Sequence, residues 1–310
     1  MPYPIEKKLV VGISSNALFD LRIEDEIFKN DGLEAYRKYQ VDNKSVLLNK
    51  GVGFPFIKRF LNINEKYSEE QPVEVVLLSR NSPETGVRIF NSIREYNLNI
   101  TRAAFMSGGS AVNYIPAFNI SLFLAIREDD VKEALKNNLP AGRILQTDVK
   151  DDESTELRVA FDFDGVVADD EAERVYKENG IQEYHRYEKE NSSVVMNPGL
   201  LGDFFTKISS FQKLETAKKR KDDNYEKILK TAIITARNAP AHERAINTLN
   251  SWGVEVDEMF LLGGIDKSRI LEVMKPHLYF DDQIGNLDTN TINNIPLVHI
   301  PFGVANEDVK

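Results

Sequence analysis

The chain has 310 residues, room for two domains, and its 42% hydrophobic and 28% charged residues exclude a fibrous or wholly disordered protein. A formal net charge of −10 gives no electrostatic footprint for a nucleic-acid polymer or an anionic membrane, although a bound metal can still draw in a small anion. The absence of cysteine excludes disulfides, thiolate metal sites and Cys nucleophiles; with no apolar run of about 18 residues and no apolar leader after Met1, a soluble cytoplasmic protein is expected.

In chain order, the apolar segment Leu9–Ile13 predicts a first strand. A long, mostly polar helical region follows, suited to a small cap inserted into the unit. Strands are predicted at Val73–Leu78, at Ala104–Met106 just before Gly108-Gly109, and at Ile120–Ala125. The charged stretch Asp148–Glu156 has linker composition. The same order then starts again: Leu157–Phe161, a polar helical region over about 169–228, Thr231–Ile234, Met259–Leu262 before Gly263-Gly264, and Leu278–Phe280. Short apolar strands alternating with helical patterns indicate parallel β-α-β packing, so the expected fold class is α/β, internally duplicated.

The duplication is visible residue by residue. Shifted by 148 positions, Leu9–Phe56 lies over Leu157–Phe204, with identities that include Gly32 on Gly180, Tyr36 on Tyr184, Tyr39 on Tyr187 and Phe56 on Phe204. Ser79-Arg80-Asn81-Ser82-Pro83 falls over Ala236-Arg237-Asn238-Ala239-Pro240. The repeat supplies a control within one chain. Residues common to both copies serve folding; charged residues confined to one copy are candidates for chemistry.

That control singles out the strand ends. The first copy has Ser14-Ser15-Asn16-Ala17 where the second has Asp162-Phe163-Asp164-Gly165. It has Ala125-Ile126 opposite Asp281-Asp282, Val112 opposite Lys267, and Leu78 near Thr235. In an open parallel sheet the carboxyl edge of the strands is where ligands bind. Several carboxylates crowded there repel one another unless a cation joins them, and all-oxygen ligation suits Mg²⁺. Lys267, the Thr235 hydroxyl and backbone N–H groups at the following helix N-terminus add a cradle for a tetrahedral phosphoryl group.

Asp162-Phe163-Asp164-Gly165-Val166, Thr235, Lys267 and Asp281-Asp282, in that order, resemble the four motifs of the haloacid-dehalogenase superfamily of phosphatases. Further runs, among them Thr235-Ala236-Arg237, Ser251-Trp252-Gly253, Phe280-Asp281-Asp282-Gln283 and Pro301-Phe302-Gly303-Val304-Ala305, resemble the cytosolic 5′-nucleotidase type I family. The likeness extends through the first copy, in Ser14-Ser15-Asn16-Ala17-Leu18-Phe19, Phe54-Pro55-Phe56 and Gly86-Val87-Arg88.

The resemblance implies a haloacid-dehalogenase-like, Rossmann-like parallel sheet in each copy, with small helical caps. Residues 1–150 would form a degenerate, non-catalytic repeat and residues 151–310 the catalytic domain. It implies hydrolysis of nucleoside 5′-monophosphates, AMP-like substrates first, with Mg²⁺ as cofactor. Asp162 would be the nucleophile that forms an aspartyl-phosphate, and Asp164 the general acid and base. Thr235, Ala236 and Lys267 would bind phosphate; Asp162, Asp164 (through its backbone carbonyl), Asp281 and Asp282 would hold the metal. A sugar phosphatase keeps the same chemistry with another substrate, and a nucleotide sensor without turnover is the rival from another class. No nucleic acid or membrane partner is expected, and a homo-oligomer is left open.

Arg237 and Asn238 have counterparts in Arg80 and Asn81, so a structural role is expected for them. Tyr184 and Tyr187 likewise match Tyr36 and Tyr39, which favours cap packing over base stacking. None of the histidines His185, His242, His277 and His299 sits at metal-ligand spacing.

Overall fold

A computed structural model describes residues 3–147 and 149–307. Asp148, the first residue of the expected linker, lies outside the described residues, as do Met1, Pro2 and the last three positions. The chain divides into two units, one up to Gln146 and one from Thr147 onward.

The first unit comprises β1 (Leu9–Ser14), α1 (Ser15–Leu18), β2 (Phe19–Asp20), α2 (Arg22–Asp42), β3 (Asn49–Lys50), α3 (Phe54–Lys66), β4 (Val73–Ser79), α4 (Gly86–Glu95), β5 (Arg102–Phe105), β6 (Ile120–Ala125), α5 (Glu128–Lys136) and β7 (Ala141–Ile144). Its main strands run in the order β7-β6-β1-β4-β5, and every neighbouring pair is parallel. β1, β4 and β6 are buried along their whole length, as strands covered on both faces must be. β2 and β3 form a separate antiparallel ribbon.

The second unit comprises β8 (Leu157–Phe161), α6 (Glu171–Glu190), α7 (Gly202–Lys221), β9 (Leu229–Thr235), α8 (His242–Ser251), β10 (Glu258–Leu261), α9 (Ser268–Met274), β11 (Leu278–Asp281) and β12 (Leu297–His299). Its order is β10-β9-β8-β11-β12, again all parallel. Strand for strand this matches the first unit, so the repeat in the sequence is a repeat of topology. Each unit also has a fifth strand, β7 or β12, beyond the four predicted. These strands have only four and three residues, too few for a period-2 pattern to emerge.

The region over 169–228 divides into two helices of unlike character. α6 buries little beyond Ala172 and Glu188, and it turns sharply at Gly180, whose φ of +80° favours glycine. α7 buries Phe204, Phe205, Ile208 and Phe211 along one face. Those rings join the core beneath β8. Phe161 stacks on Phe280 at 5.0 Å and meets Phe205 edge-on at 5.1 Å. The residues that follow Phe161 and Phe280 are Asp162 and Asp281, so the aromatic core anchors the strand ends that carry the acidic groups. Among the described residues no helix is long and apolar enough to cross a membrane.

Candidate active site

β8 is apolar enough to stay in the sheet up to Phe161, and the first carboxylate follows at once. Asp162 is 4% exposed, and its Oδ1 accepts the Phe163 N–H at 2.7 Å. β11 runs beside β8 and ends on Asp281, with Asp282 next in the chain, both fully buried. One carboxylate oxygen from each of Asp162, Asp281 and Asp282 falls within a sphere of mutual distances no greater than 4.8 Å. The sequence leads one to expect Asp162, Asp164, Asp281 and Asp282 in one pocket at the strand ends; the structure brings the carboxylates of Asp162, Asp281 and Asp282 together and leaves that of Asp164 outside the group.

Lys267 joins them from the N-terminus of α9, where it is the residue just before the helix. Its Nζ lies 2.8 Å from Asp162 Oδ2 and 2.7 Å from Asp281 Oδ2. Burial opposes the charge on Lys267, yet the Asp162 and Asp281 carboxylates hold its pKa above the ordinary lysine value. Burial pushes Asp162 up to about 7, against the pull of Lys267, with Asp281 adding repulsion. Burial also pushes Asp282 up to about 9, reinforced by Asp162, Glu173 and Asp281. One lysine does not balance three buried carboxylates.

The adjacent aspartates differ sharply. Asp281 is saturated with donors: Lys267, the Tyr279 hydroxyl, the Gln283 N–H at 2.8 Å and Asn286 Nδ2 at 3.2 Å. Both carboxylate oxygens of Asp282 are buried without a hydrogen-bond partner. Its backbone carbonyl, by contrast, is pinned by His299 Nε2 at 3.1 Å and Asn306 Nδ2 at 2.9 Å. A buried acceptor pair left unsatisfied is costly unless a cation or donor reaches it.

Thr235 ends β9, is 1% exposed, and its hydroxyl accepts the Arg237 N–H at 3.2 Å. Ala236 follows on the exposed loop. The expectation that a helix N-terminus directly follows Thr235 is corrected here. A loop of six residues intervenes, α8 starts at His242, and Ala241 occupies its cap position.

Asp164 is not part of the carboxylate cluster. Arg237 clasps it with both arms of the guanidinium, Nε to Oδ2 at 2.8 Å and Nη2 to Oδ1 at 2.6 Å. The repeat comparison assigns Arg237 to structure because Arg80 matches it. The structure shows that the two arginines do different things: Arg80 turns to Asp130 and to the Gly108 carbonyl. The signal that separates them was in the sequence, one residue away from view. Gln40 of the first copy becomes Glu188 in the second, and Glu188 binds Arg237. Glu173 also escaped notice. Its Oε1 accepts from Gln283 at 3.1 Å, its Oε2 is buried without a partner, and burial raises its pKa.

Tyr187 lies beneath the Arg244 guanidinium at 5.3 Å, as Tyr39 lies beneath Arg88 at 5.6 Å. This repeated contact is packing, as the repeat implies. Tyr184 packs edge-on against Tyr176 at 6.1 Å.

A family model described as 5′-nucleotidase matches residues 1–307 of the chain. The chain is also similar to cytosolic 5′-nucleotidase 1B of Homo sapiens, with 33% identity over 300 residues, 93% of this chain and 48% of that protein. It therefore spans about half the length of the curated relative it matches. No solved structure matches it significantly.

Proposed function

The chain belongs to the 5′-nucleotidase family, and from that premise we propose that its second unit hydrolyses nucleoside 5′-monophosphates to nucleoside and phosphate. The observation that carries the reading is the joint placement of Asp162, Lys267, Asp281 and Asp282 at the carboxyl edge of β8 and β11. A pure nucleotide sensor gains nothing from a buried nucleophile beside an unbalanced carboxylate cluster.

The donor set fits a hard divalent cation, because the two oxygens of Asp282 are buried without partners and the cluster is all carboxylate. Mg²⁺ would be held by Asp162, Asp282 and the backbone carbonyl of Asp164. Asp281, already occupied by four donors, would act from behind, fixing Lys267 and the end of β11. When bound, the cation supplies positive charge that offsets the phosphate and the developing charge in the transition state.

The protein groups then have distinct tasks. An oxygen of Asp162 attacks phosphorus as the bond from phosphorus to the 5′-oxygen breaks. Asp164, protonated, gives its proton to that oxygen, so the nucleoside leaves as an alcohol. In the second half, the Asp164 carboxylate takes a proton from water, and the water oxygen attacks the aspartyl-phosphate. The bond between phosphorus and Asp162 breaks, returning the carboxylate and releasing phosphate. Lys267 lowers the negative charge met by the incoming phosphate; Thr235 and the Ala236 backbone hold phosphoryl oxygens.

The first unit, by this reading, is a non-catalytic relative of the second. Ser14 ends β1, and its Oγ donates to Oδ1 of Asn16, in α1, at 2.7 Å. Neither a carboxylate pair nor a lysine occupies the positions equivalent to Asp281, Asp282 and Lys267. A cytosolic location follows by analogy with the named relative.

The test is phosphate release from a panel of nucleoside monophosphates, AMP first, and of sugar phosphates, each with Mg²⁺ and with EDTA. Nucleotides hydrolysed only with the metal are the expected result. Sugar phosphates turned over faster than any nucleotide would move the substrate assignment to that class. No turnover of either would overturn the proposal.

A further inference from the structure

A row of alternating charges leads from the first turn of α6 to Asp164. Glu171 Oε2 accepts from Arg244 Nη2 at 3.2 Å, and Arg244 Nη1 donates to Glu188 Oε1 at 3.1 Å. Glu188 Oε2 accepts from Arg237 Nη1, and Arg237 closes its fork on Asp164. Glu188 is fully buried, and Arg237 and Arg244 are each 2% exposed. A buried carboxylate between two guanidiniums loses strongly if either partner is removed, so each arginine is held in place by it.

The first unit shows the equivalent contact with its carboxylate at another place: Arg88 Nη1 donates to Glu24 Oε1 at 2.6 Å, both side chains buried. Arg88 Nε donates to the Val46 carbonyl at 2.8 Å, just as Arg244 Nε donates to that of Val194 at 3.0 Å. Gln40 Oε1 also accepts from Arg88 Nη1, at 3.3 Å, where the second unit has Glu188. In that unit the buried Arg88–Glu24 ion pair joins α2 to α4, and the Gln40 amide only adds to it. A carboxylate at the position of Gln40 occurs in the unit whose second arginine, Arg237, must be fixed on Asp164; in the other unit Arg80 is elsewhere, and Asn16 replaces Asp164.

We infer that Glu188 and Arg237 are positioning residues for the reaction: Glu188 fixes the Arg237 guanidinium, and Arg237 sets the orientation from which Asp164 exchanges protons. The inference rests on the assignment of Asp164 as general acid and base under the proposed function. The fork takes two of the roughly four lone-pair sites of the carboxyl group, so a proton can still be carried on a remaining one. Because α6 carries Glu188, the cap segment shares in placing the acid.

The test exploits the leaving group. A nucleoside 5′-oxygen departs as a strongly basic alkoxide unless protonated, whereas p-nitrophenolate departs without a proton. Glu188→Gln reproduces the side chain that the first unit accommodates as Gln40. In single-turnover measurements it should slow nucleoside release from a nucleoside monophosphate by roughly 10- to 100-fold, within the range of general acid catalysis. Release of p-nitrophenol from p-nitrophenyl phosphate should change by less than about threefold, since no acid is needed there. Arg237→Lys, which keeps the charge but loses the fork, should show the same disparity and reads it independently if Glu188→Gln folds poorly. In an Asp164→Asn background, Glu188→Gln should cost nothing further, because groups acting as a unit are not additive. Equal losses on both substrates, no loss on either, or an additive loss in the Asp164→Asn background would overturn the inference. An Asp164→Asn variant that retains wild-type nucleoside release would strike the assignment of Asp164 itself, a failure visible in that variant alone.

Discussion

Gly165 and Asp282 meet so closely that a β-carbon on Gly165 would lie 2.8 Å from Asp282 Cγ. Gly165 also has a φ of +74°, in the region that L side chains enter at a cost of about 1–2 kcal/mol. The glycine thus does two things at once. It turns the chain after Asp164, and it leaves room for a carboxylate whose oxygens have no other partner. Gly165→Ala should fold with reduced stability, lose at least about tenfold in phosphate release, and need more Mg²⁺ for half-maximal rate. A Mg²⁺ titration matching that of the wild type would show that this contact does not place the ligand.

Metal binding should be readable as stability. Wild-type protein is expected to melt at a higher temperature in Mg²⁺ than in EDTA, by the equivalent of about 2.7 kcal/mol when the free ion is a hundredfold above Kd. Asp282→Asn removes a ligand whose oxygens bond nothing else, so its fold should survive while the Mg²⁺ increment disappears. Thermal melts of both proteins in both buffers check this. An undiminished increment in the variant would remove Asp282 from the ligand set.

Asp162→Asn should abolish turnover with the fold intact, because an amide of the same shape cannot attack phosphorus. Circular dichroism and phosphate release, measured on the same sample, decide it. Wild-type-like release would end the covalent mechanism.

Phe161→Ala tests how firmly the core holds the site. Phe161 is fully buried against Phe280 and Phe205, and loss of such a ring costs about 3–5 kcal/mol. Because Asp162 follows directly, activity should fall even below the unfolding transition. Chemical denaturation with parallel activity assays separates the two effects, and a stability loss under about 1 kcal/mol would contradict the packing argument.

Ser14→Ala and Asn16→Ala should leave the chemical step within about tenfold of wild type, or ~1.4 kcal/mol in barrier. The two side chains bond each other, and no carboxylate pair stands at the neighbouring strand end. If Ser14→Ala is as inactive as Asp162→Asn while remaining folded, the first unit takes part in the reaction.

The fold was legible because its determinants are local and repeated. Apolar runs such as Leu9–Ile13 and Leu157–Phe161 announce buried strands, and two copies of one pattern must give two copies of one strand order. The helices of the 169–228 region were less so. α7 ends on four consecutive basic residues, Lys218 to Lys221, and only the spacing of Phe204, Phe205, Ile208 and Phe211 betrays its core face. The short strands β7 and β12, of four and three residues, left no periodic trace.

For the site, the sequence by itself determined which residue types stand at which strand ends. Asp162, Lys267, Asp281 and Asp282 follow apolar strands or begin a helix, and parallel strands deliver such positions to one edge. Where each side chain points was decided by the tertiary structure. Asp281 and Asp282 are neighbours with the same side chain, yet one collects four donors and the other none, because Lys267, Tyr279 and Asn286 approach from one side. Arg80 and Arg237 share a position in the repeat but turn to different carboxylates, Asp130 and Asp164. A long side chain goes to whichever opposite charge the packed fold leaves within its reach, and that choice depends on residues such as Glu188 that are distant in sequence.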